Sequence, residues 1–258
     1  TGNVGIAPDT AGDAAGNIYA EFKLVAEGTE ISLAEGNVEY IKVKVGDGGW
    51  ANLTPNTDAT LWFNVEAATG LRTFEVKTKG EDANVYVATL DWKEEINNVS
   101  FTATGREGTR PETEDAYVEF EILVDSQRVS LAEGAVKLIA QKADGKWVEL
   151  EPNTDETLWF KKDKATGTYE FFVVTSAGVM YKATLEWPGE GVYDALAEVN
   201  GVEAGANYGQ NERKAMRQAL EKNEKILGLD LTEYNKITVE GRKDAVGWDL
   251  LANRPAEG

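Results

Sequence analysis

Polar and apolar residues alternate along short stretches of the first three quarters of the chain. Residues 19–24 alternate in this way, and residues 117–122 do the same. A period of two is typical of a β-strand that buries one face. Further stretches of strand-like composition lie at 38–45, 62–65, 74–76 and 86–92. Glycine and aspartate separate them, as expected for hairpin turns.

The same module occurs twice in the chain. The shared motifs are Ser-Leu-Ala-Glu-Gly at 32–36 and 130–134, Pro-Asn-Thr-Asp at 55–58 and 152–155, Thr-Leu-Trp-Phe at 60–63 and 157–160, Ala-Thr-Gly at 68–70 and 165–167, and Ala-Thr-Leu-x-Trp at 88–92 and 183–187. Extended backwards, the match pairs residues 3–6 with 98–101. We therefore predict repeat 1 at 1–95 and repeat 2 at 96–189, with one fold and equivalent tryptophan positions.

Each repeat has the length and the six or seven predicted strands of an immunoglobulin-like β-sandwich. A jelly roll or a small barrel is the alternative closure for this strand count. The stretches at 93–116 and 188–191 are rich in charge, glycine or proline, so we predict that each domain keeps its own core. On this interpretation the chain is mainly β and elongated.

The composition changes in residues 190–258. The stretches 192–199, 211–227 and 239–252 are rich in Ala, Leu, Glu, Lys and Arg, which favours a small all-α module. Its predicted core is Leu196, Val199, Met216, Leu220, Leu227, Leu231, Tyr234, Val246, Leu250 and Leu251. Because so short a module buries little apolar surface, we expect it to dock on repeat 2.

Leu-Gly-Leu-Asp-Leu-Thr-Glu-Tyr-Asn-Lys-Ile at 227–237, with the apolar pairs at 245–246 and 250–251 and the exit Ala-Asn-Arg-Pro-Ala-Glu-Gly at 252–258, resembles a helical module of large Gram-positive surface proteins. That family includes S-layer and S-layer-homology proteins. The resemblance implies an extracellular, multidomain, wall-associated protein without catalytic residues. Gly241 and Gly247 stand where it implies helix formers. The β repeats resemble bacterial immunoglobulin-like domains.

Composition excludes several classes of function. The chain has no Cys and no His, so disulfides, thiol catalysis, Ser-His-Asp triads and His zinc sites are impossible within it. Its net charge of −19 opposes binding to nucleic acids and to anionic membranes. No apolar run is long enough to span a bilayer. We expect a segment of a longer exported protein at the cell surface or in the cell wall.

Calcium is a candidate ligand because most of the negative charge lies on the β repeats. The loop candidates for its oxygen ligands are Asp47, Asp58, Asp144 and Asp155. The alternative for each Pro-Asn-Thr-Asp motif is an Asx turn, in which the side chain bonds its own backbone. No cofactor is otherwise required.

Paired tryptophans are a second candidate feature. Trp50 matches Trp147, Trp62 matches Trp159 and Trp92 matches Trp187, whereas Trp248 has no counterpart. Flat aromatic platforms bind sugars, but packing in a core or at a sheet edge explains the same pattern. An exposed, coplanar pair in both repeats would favour glycan binding.

Two carboxylate pairs have the composition needed for glycoside hydrolysis: Glu94 with Glu95, and Glu112 with Glu114. Both lie in charged linkers, where such runs are usually solvated, so we predict no catalytic residues and no enzyme.

The sequence favours a structural and assembly segment of an S-layer-like surface protein, with self-association or neighbouring domains as partners. The alternative is an adhesin or carbohydrate-binding segment that contacts cell-wall glycan.

Overall fold

The computed structural model describes residues 3–8, 14–55, 57–81, 83–93, 96–110, 113–152, 154–202 and 210–252, apart from the side chains of Trp248 and Leu251. Within these residues the protein is mainly β, with several sheets followed by four helices. The β class and the late change to helix that the sequence predicts are confirmed.

Repeat 1 contains β1 (Val4–Ile6), β2 (Ile18–Phe22), β3 (Leu24–Ala26), β4 (Thr29–Ile31), β5 (Val38–Val45), β6 (Ala51–Leu53), β7 (Leu61–Asn64), β8 (Gly70–Thr78) and β9 (Val85–Trp92). One sheet has the order β1-β2-β7 and another has the order β6-β5-β8-β9, while β3 and β4 form a hairpin. A core of Leu33, Val38, Ile41, Phe74 and Val76 is buried in this repeat.

Repeat 2 contains β10 (Ile96–Thr109), β11 (Ala116–Val124), β12 (Gln127–Val129), β13 (Val136–Ala143), β14 (Lys146–Glu149), β15 (Leu158–Lys161), β16 (Gly167–Thr175) and β17 (Met180–Trp187). These strands join in one sheet of order β12-β11-β10-β17-β16-β13-β14, and β15 pairs with β11. The long β10 connects two groups of strands that remain separate sheets in repeat 1.

The two repeats share their strand pairing. The order β6-β5-β8-β9 returns as β14-β13-β16-β17, and the β2–β7 pair returns as β11–β15. Even an irregularity is repeated, because the register shifts between Val38 and Tyr40 in β5 and between Val136 and Leu138 in β13. The predicted equivalence of the repeats therefore extends to details of strand pairing.

The first strand differs from the match made on sequence. Asn3 bonds the Glu21 carboxylate through its backbone N–H at 3.1 Å and its side-chain amide at 2.8 Å. In repeat 2 the corresponding carboxylate, Glu119, pairs with Arg106 at 2.8 Å, so β1 corresponds to the second half of β10. The predicted match of residues 3–6 with 98–101 is therefore wrong. The residues themselves agree with the new register, because Thr-Gly-x-x-Gly stands at 1–5 and again at 104–108.

The contacts divide the chain into two compact units. The first comprises residues 1–102, 121–158 and 169–185, and the second comprises 103–120, 159–168 and 186–258. Within the first unit one apolar cluster takes residues from both repeats, among them Ile18, Trp92, Trp147 and Phe172. The prediction that each repeat keeps its own core is therefore wrong at this point. The boundaries at 95 and 189 stay predictions.

The helices are α1 (Glu190–Asn200), α2 (Gln210–Asn223), α3 (Thr232–Asn235) and α4 (Glu240–Ala252). Their buried apolar residues include Ala195, Met216 and Ala219, whereas the predicted core residues Leu196 and Leu250 are 41% and 46% exposed. In the described part of the chain, no helix combines the length and apolar character needed to cross a membrane.

Gly247 lies inside α4, where a helix former was expected. A Cβ atom on it would stand 2.7 Å from the carbonyl oxygen of Arg213 in α2. Glycine therefore permits the close approach of α2 and α4. Beside this crossing Arg217 Nε donates to Asp244 Oδ1 at 2.8 Å, and the Tyr234 hydroxyl donates to Glu221 at 2.9 Å.

Candidate functional site

The surface with the clearest specialisation is the contact between the two repeats, which we name the junction. Repeat 2 contributes one face of its sheet, and repeat 1 contributes residues of β2, the residue directly after β7 and the last residue of β9. The junction core consists of Leu138, Ala140, Trp147, Phe172, Val174 and Met180 packed with Ile18, Ala20, Val65 and Trp92. Burying this apolar surface from both sides favours a defined contact over a loose tether.

A polar rim closes one side of the junction. The indole N–H of Trp147 donates to Glu66 Oε2 at 3.1 Å, so a repeat 2 ring is bonded to a repeat 1 carboxylate. Lys182 lies 3.5 Å from Glu66 and 3.9 Å from Glu170, and Lys142 lies 3.0 Å from Glu170. Both ammonium groups also lie over the Trp147 ring, that of Lys142 at 5.3 Å from the ring centroid and that of Lys182 at 5.9 Å. The hydrogen bond from Lys142, opposed by partial burial and aided by the charge of Lys182, lowers the pKa of Glu170.

The backbones also meet at the junction. The Trp147 N–H donates to the carbonyl oxygen of Gly16 at 2.9 Å. Gly16 has a φ of 78°, and a Cβ atom there would stand 2.5 Å from Cβ of Lys146. Only glycine satisfies both the left-handed conformation and this close approach.

The sheet face of repeat 1 that corresponds to the junction face of repeat 2 is polar. The counterparts of Leu138, Ala140, Phe172 and Val174 are Tyr40, Lys42, Glu75 and Lys77. Glu75 accepts from the Tyr40 hydroxyl at 3.0 Å and from Lys42 at 3.2 Å. The hydrogen bond from Lys42 is the largest cause of a lowered pKa for Glu75, and the bond from Tyr40 is the next. The same bond to Glu75 raises the pKa of Tyr40. In repeat 1 this face therefore carries hydrogen-bonded and ion-paired side chains, whereas in repeat 2 the corresponding face carries apolar side chains.

Trp50 and Trp147 show the same divergence. Trp50 is 44% exposed, whereas Trp147 is 3% exposed. In each repeat the matching lysine lies over the ring, Lys44 at 5.4 Å and Lys142 at 5.3 Å. The local arrangement is thus retained while the surroundings differ, and this pair forms no platform exposed in both repeats.

The other tryptophan pairs are equivalent. The Trp62 ring lies 3.7 Å from the position of a Cβ on Gly5, and the Trp159 ring lies 3.0 Å from that position on Gly108. Trp92 packs with Phe22 and Phe63, as Trp187 packs with Phe120 and Phe160. The predicted equivalence of these positions is confirmed. The side chain of Trp248 lies outside the described residues.

The aspartates proposed for calcium lie in loops. Asp47 and Asp144 occupy the turns β5–β6 and β13–β14, and Asp58 and Asp155 precede β7 and β15. Asp58 accepts a hydrogen bond from the Trp62 indole at 3.2 Å, so it bonds a side chain in addition to any turn contact. Across the described ranges no three acidic side chains converge as a metal site would require. Asn56 and Asn153 of the proposed Asx turns lie outside those ranges.

The carboxylate pairs weighed for hydrolysis are largely outside the described residues, which exclude Glu94, Glu95 and Glu112. Glu114 is described, and it has a φ of 57° in the turn before β11. Neither pair therefore lies wholly within the described residues, and the proximity of its carboxylates stays outside this description.

Sequence reasoning expected the helical module to dock on repeat 2 but missed the residues through which α1 does so. Lys162 is almost fully buried and pairs with Glu107 at 3.2 Å and Asp194 at 2.5 Å. Burial opposes its charge, but the two carboxylates prevail and raise the pKa of Lys162. Tyr193 of α1 packs on the Trp187 ring at 5.3 Å. The signal in the sequence was that Lys162 stands where repeat 1 has Val65, which belongs to the junction core.

Comparisons with known proteins add little to this picture. No family model and no curated protein matches the chain. A solved structure that it matches is described as a Ca2+-stabilized adhesin that helps an Antarctic bacterium reach out and bind ice. The identity is 12% and the TM-score 0.20, over 72% of this chain and 47% of that one. The chain thus spans about half of that protein, and at this TM-score the likeness carries no argument about fold or function.

Proposed function

We propose that this chain is a structural and assembly segment of an exported cell-surface protein, of the kind that forms an S-layer-like coat on a Gram-positive wall. Its units are two immunoglobulin-like β-sandwiches and a small helical module. The shared strand pairing of the repeats supports the sandwich assignment. The junction is the observation that carries the functional proposal.

A structural segment must hold its modules in a fixed relation. The junction supplies this through an apolar core shared by both repeats, through the bond from Trp147 to Glu66 and through the backbone bond at Gly16. Repeats joined only by a flexible linker would keep polar faces toward each other, as interfaces between independent domains do.

Spin labels test the rigidity on which the proposal depends. The chain has no Cys, so Thr29→Cys in repeat 1 and Gln127→Cys in repeat 2 place two unique labels at exposed positions. We expect one narrow distribution of label distances by pulsed electron resonance. A broad distribution would contradict the structural role, and labels at Thr29 and Val45 within repeat 1 provide the rigid reference.

Self-association and glycan binding distinguish the proposed coat segment from an adhesin. Sedimentation should detect concentration-dependent assembly of the protein. Trp50, exposed with Lys44 over its ring, is the residue to follow by fluorescence while wall glycan is titrated. Saturable quenching at micromolar glycan without self-association would favour the adhesin instead.

Calcium is a separate part of the proposal, motivated by the net charge of −19. An ion that binds the folded state raises the melting temperature by mass action. Thermal unfolding is to be compared in millimolar calcium, in chelator, and in sodium chloride of equal ionic strength. An increase specific to calcium supports a bound ion, and equal increases would leave only charge screening.

A further inference from the structure

Repeat 2 contains a strand position that the described part of repeat 1 leaves open. Residues 96–100 of β10 pair in parallel with β17, with Val99 opposite Ala183 and Ser100 opposite Thr184. The next residue, Phe101, is buried, and its ring lies 5.1 Å from the ring of Phe171. This strand thus covers both an edge of the sheet and an aromatic side chain of the core.

In repeat 1, β9 corresponds to β17 and is the last strand of its sheet, pairing with β8 among the described residues. Val85 and Val87 on β9 are 54% and 66% exposed. An apolar edge strand with open backbone groups is a template for another strand. Soluble proteins normally protect such an edge with charge, a bulge or a covering element.

An apolar groove runs beside this edge, between β3 and β9. It contains a cavity of ≈ 90 Å³ lined by Phe22, Leu24, Phe74, Ala88, Leu90 and neighbouring side chains. Ala88 and Leu90 are partly exposed, whereas their counterparts Ala183 and Leu185 are fully buried. Phe74 corresponds to Phe171, the residue that Phe101 covers in repeat 2. Among the described residues, none takes the place in this groove that Phe101 takes in the second copy.

We propose that this groove is an acceptor site for an extended β-strand that adds in parallel to residues 85–89 of β9 and places an aromatic side chain over Phe74. The occupant has the chemistry of residues 96–102, Ile-Asn-Asn-Val-Ser-Phe-Thr, in which Val99 and Phe101 stand at alternate positions on the face toward the groove. Thr89 is retained at the place of Thr184, whose hydroxyl donates to the carbonyl oxygen of Val99. Strand addition of this kind derives its affinity from backbone bonds and its selectivity from pockets for alternate side chains.

The order of the strands in repeat 2 also indicates where the occupying strand is attached. In repeat 2 the strand in the groove leads directly into the part of β10 that corresponds to β1. The occupant that fits repeat 1 in the same way is therefore a strand joined to the N-terminal side of β1. This inference rests on the comparison of the repeats and stands independently of the proposed role at the cell surface.

An N-terminal extension tests the proposal on the whole chain. A copy of residues 96–103 placed directly before Thr1 reproduces the order found in repeat 2, since Thr-Gly stands at 1–2 as it does at 104–105. The matched control carries Val99→Asp and Phe101→Asp in the copied segment. We expect amide exchange of residues 85–89 to slow by at least about tenfold with the first extension and to stay unchanged with the control.

Three outcomes would overturn the proposal. Equal exchange rates in the two extended proteins would show that the groove accepts no such strand. Faster exchange at residues 180–184 would show that the copy displaces β10 from repeat 2 instead. Equal protection by the free peptide Ile-Asn-Asn-Val-Ser-Phe-Thr, added at the protein's concentration, would assign the groove to strands of separate proteins.

Discussion

The two copies of one sheet face have taken opposite chemical forms. In repeat 2 the face is apolar and buried against repeat 1, and in repeat 1 it carries the Glu75 network with Tyr40 and Lys42. The strand order around both faces is the same. The difference teaches that the backbone of the module tolerates either surface. A few side chains decide whether a copy makes a contact on that side.

The two surfaces also differ in energy. Exposed ion pairs contribute about 0–1 kcal/mol each to the free energy of unfolding. A fully buried apolar side chain contributes about 1.5–3 kcal/mol. Substitutions at matched positions should therefore have much larger effects in repeat 2 than in repeat 1, and the following predictions begin with the largest.

Phe172→Glu introduces into repeat 2 the residue that repeat 1 has at this position. We expect the free energy of unfolding to fall by at least about 4 kcal/mol, because a large core side chain is lost and an unpaired carboxylate is buried. Urea denaturation measures the change. The reverse substitution, Glu75→Phe, should leave the free energy of unfolding almost unchanged, because it removes only partly exposed ion pairs and hydrogen bonds. Equal effects would show that the face of repeat 2 is not buried in solution.

Trp147→Ala removes the ring that bonds Glu66 across the junction. A loss of about 3–5 kcal/mol is expected for truncating a buried aromatic side chain. Trp50→Ala is the matched control and should cost about 1 kcal/mol or less, since its ring is partly exposed. The spin-label distance between the repeats should broaden in the first variant and not in the second. Comparable losses would refute the assignment of Trp147 to the junction.

Gly108→Ala and Gly5→Ala compare the two tryptophans that lie over glycine. The new methyl group would stand 3.0 Å from the Trp159 ring in the first case and 3.7 Å from the Trp62 ring in the second. We expect Gly108→Ala to cost about 1 kcal/mol or more through crowding. Gly5→Ala should be neutral or stabilise by up to about 1 kcal/mol, because alanine restricts the unfolded chain. Thermal unfolding of both variants measures these changes in stability. A larger loss for Gly5→Ala than for Gly108→Ala would contradict the described packing.

Glu170→Gln tests the polar rim by its dependence on pH. The pKa of Glu170 is lowered in the folded protein, so its ionised form stabilises the fold above the unfolded pKa near 4.5. This contribution is lost as the pH falls through the lower folded value. The variant should therefore lose less stability than the parent between neutral and acid pH. Glu149→Gln, on the exposed part of β14, is the control, and identical acid profiles for all three proteins would remove Glu170 from the rim.

The sequence was sufficient to predict much of the fold. Repeated motifs predicted the duplication, and alternation predicted the strands, because a one-sided burial leaves a period of two. The equivalence of Trp92 and Trp187 followed from the same match. The register of the first strand was missed because Asn-Val at 98–99 is identical to Asn-Val at 3–4, so the match was extended through 98–101 and not through Thr-Gly-x-x-Gly at 104–108. A parallel pairing with β17 leaves no local pattern that would reveal it.

The junction could have been predicted from one further signal. Phe171-Phe-Val-Val174 is continuously apolar, whereas the matching Phe74-Glu-Val-Lys77 alternates. A continuous run indicates a strand buried on both faces. What covers the second face is a tertiary fact that the run alone does not specify. The exposed Leu196 and Leu250 illustrate the same difficulty, since helical spacing marks a stripe and packing decides how much of it is buried.

The shared core has a consequence for how such repeats can be exchanged during evolution. Modules with closed cores can be shuffled one at a time, because each carries its own stability into a new context. If the second copy were moved behind an unrelated module, Leu138, Phe172 and Val174 would face water. Recombination at the boundary between the copies would thus be selected against. The unit that could be exchanged without exposing this core is therefore the pair of repeats, although the pair arose by duplication of a single copy.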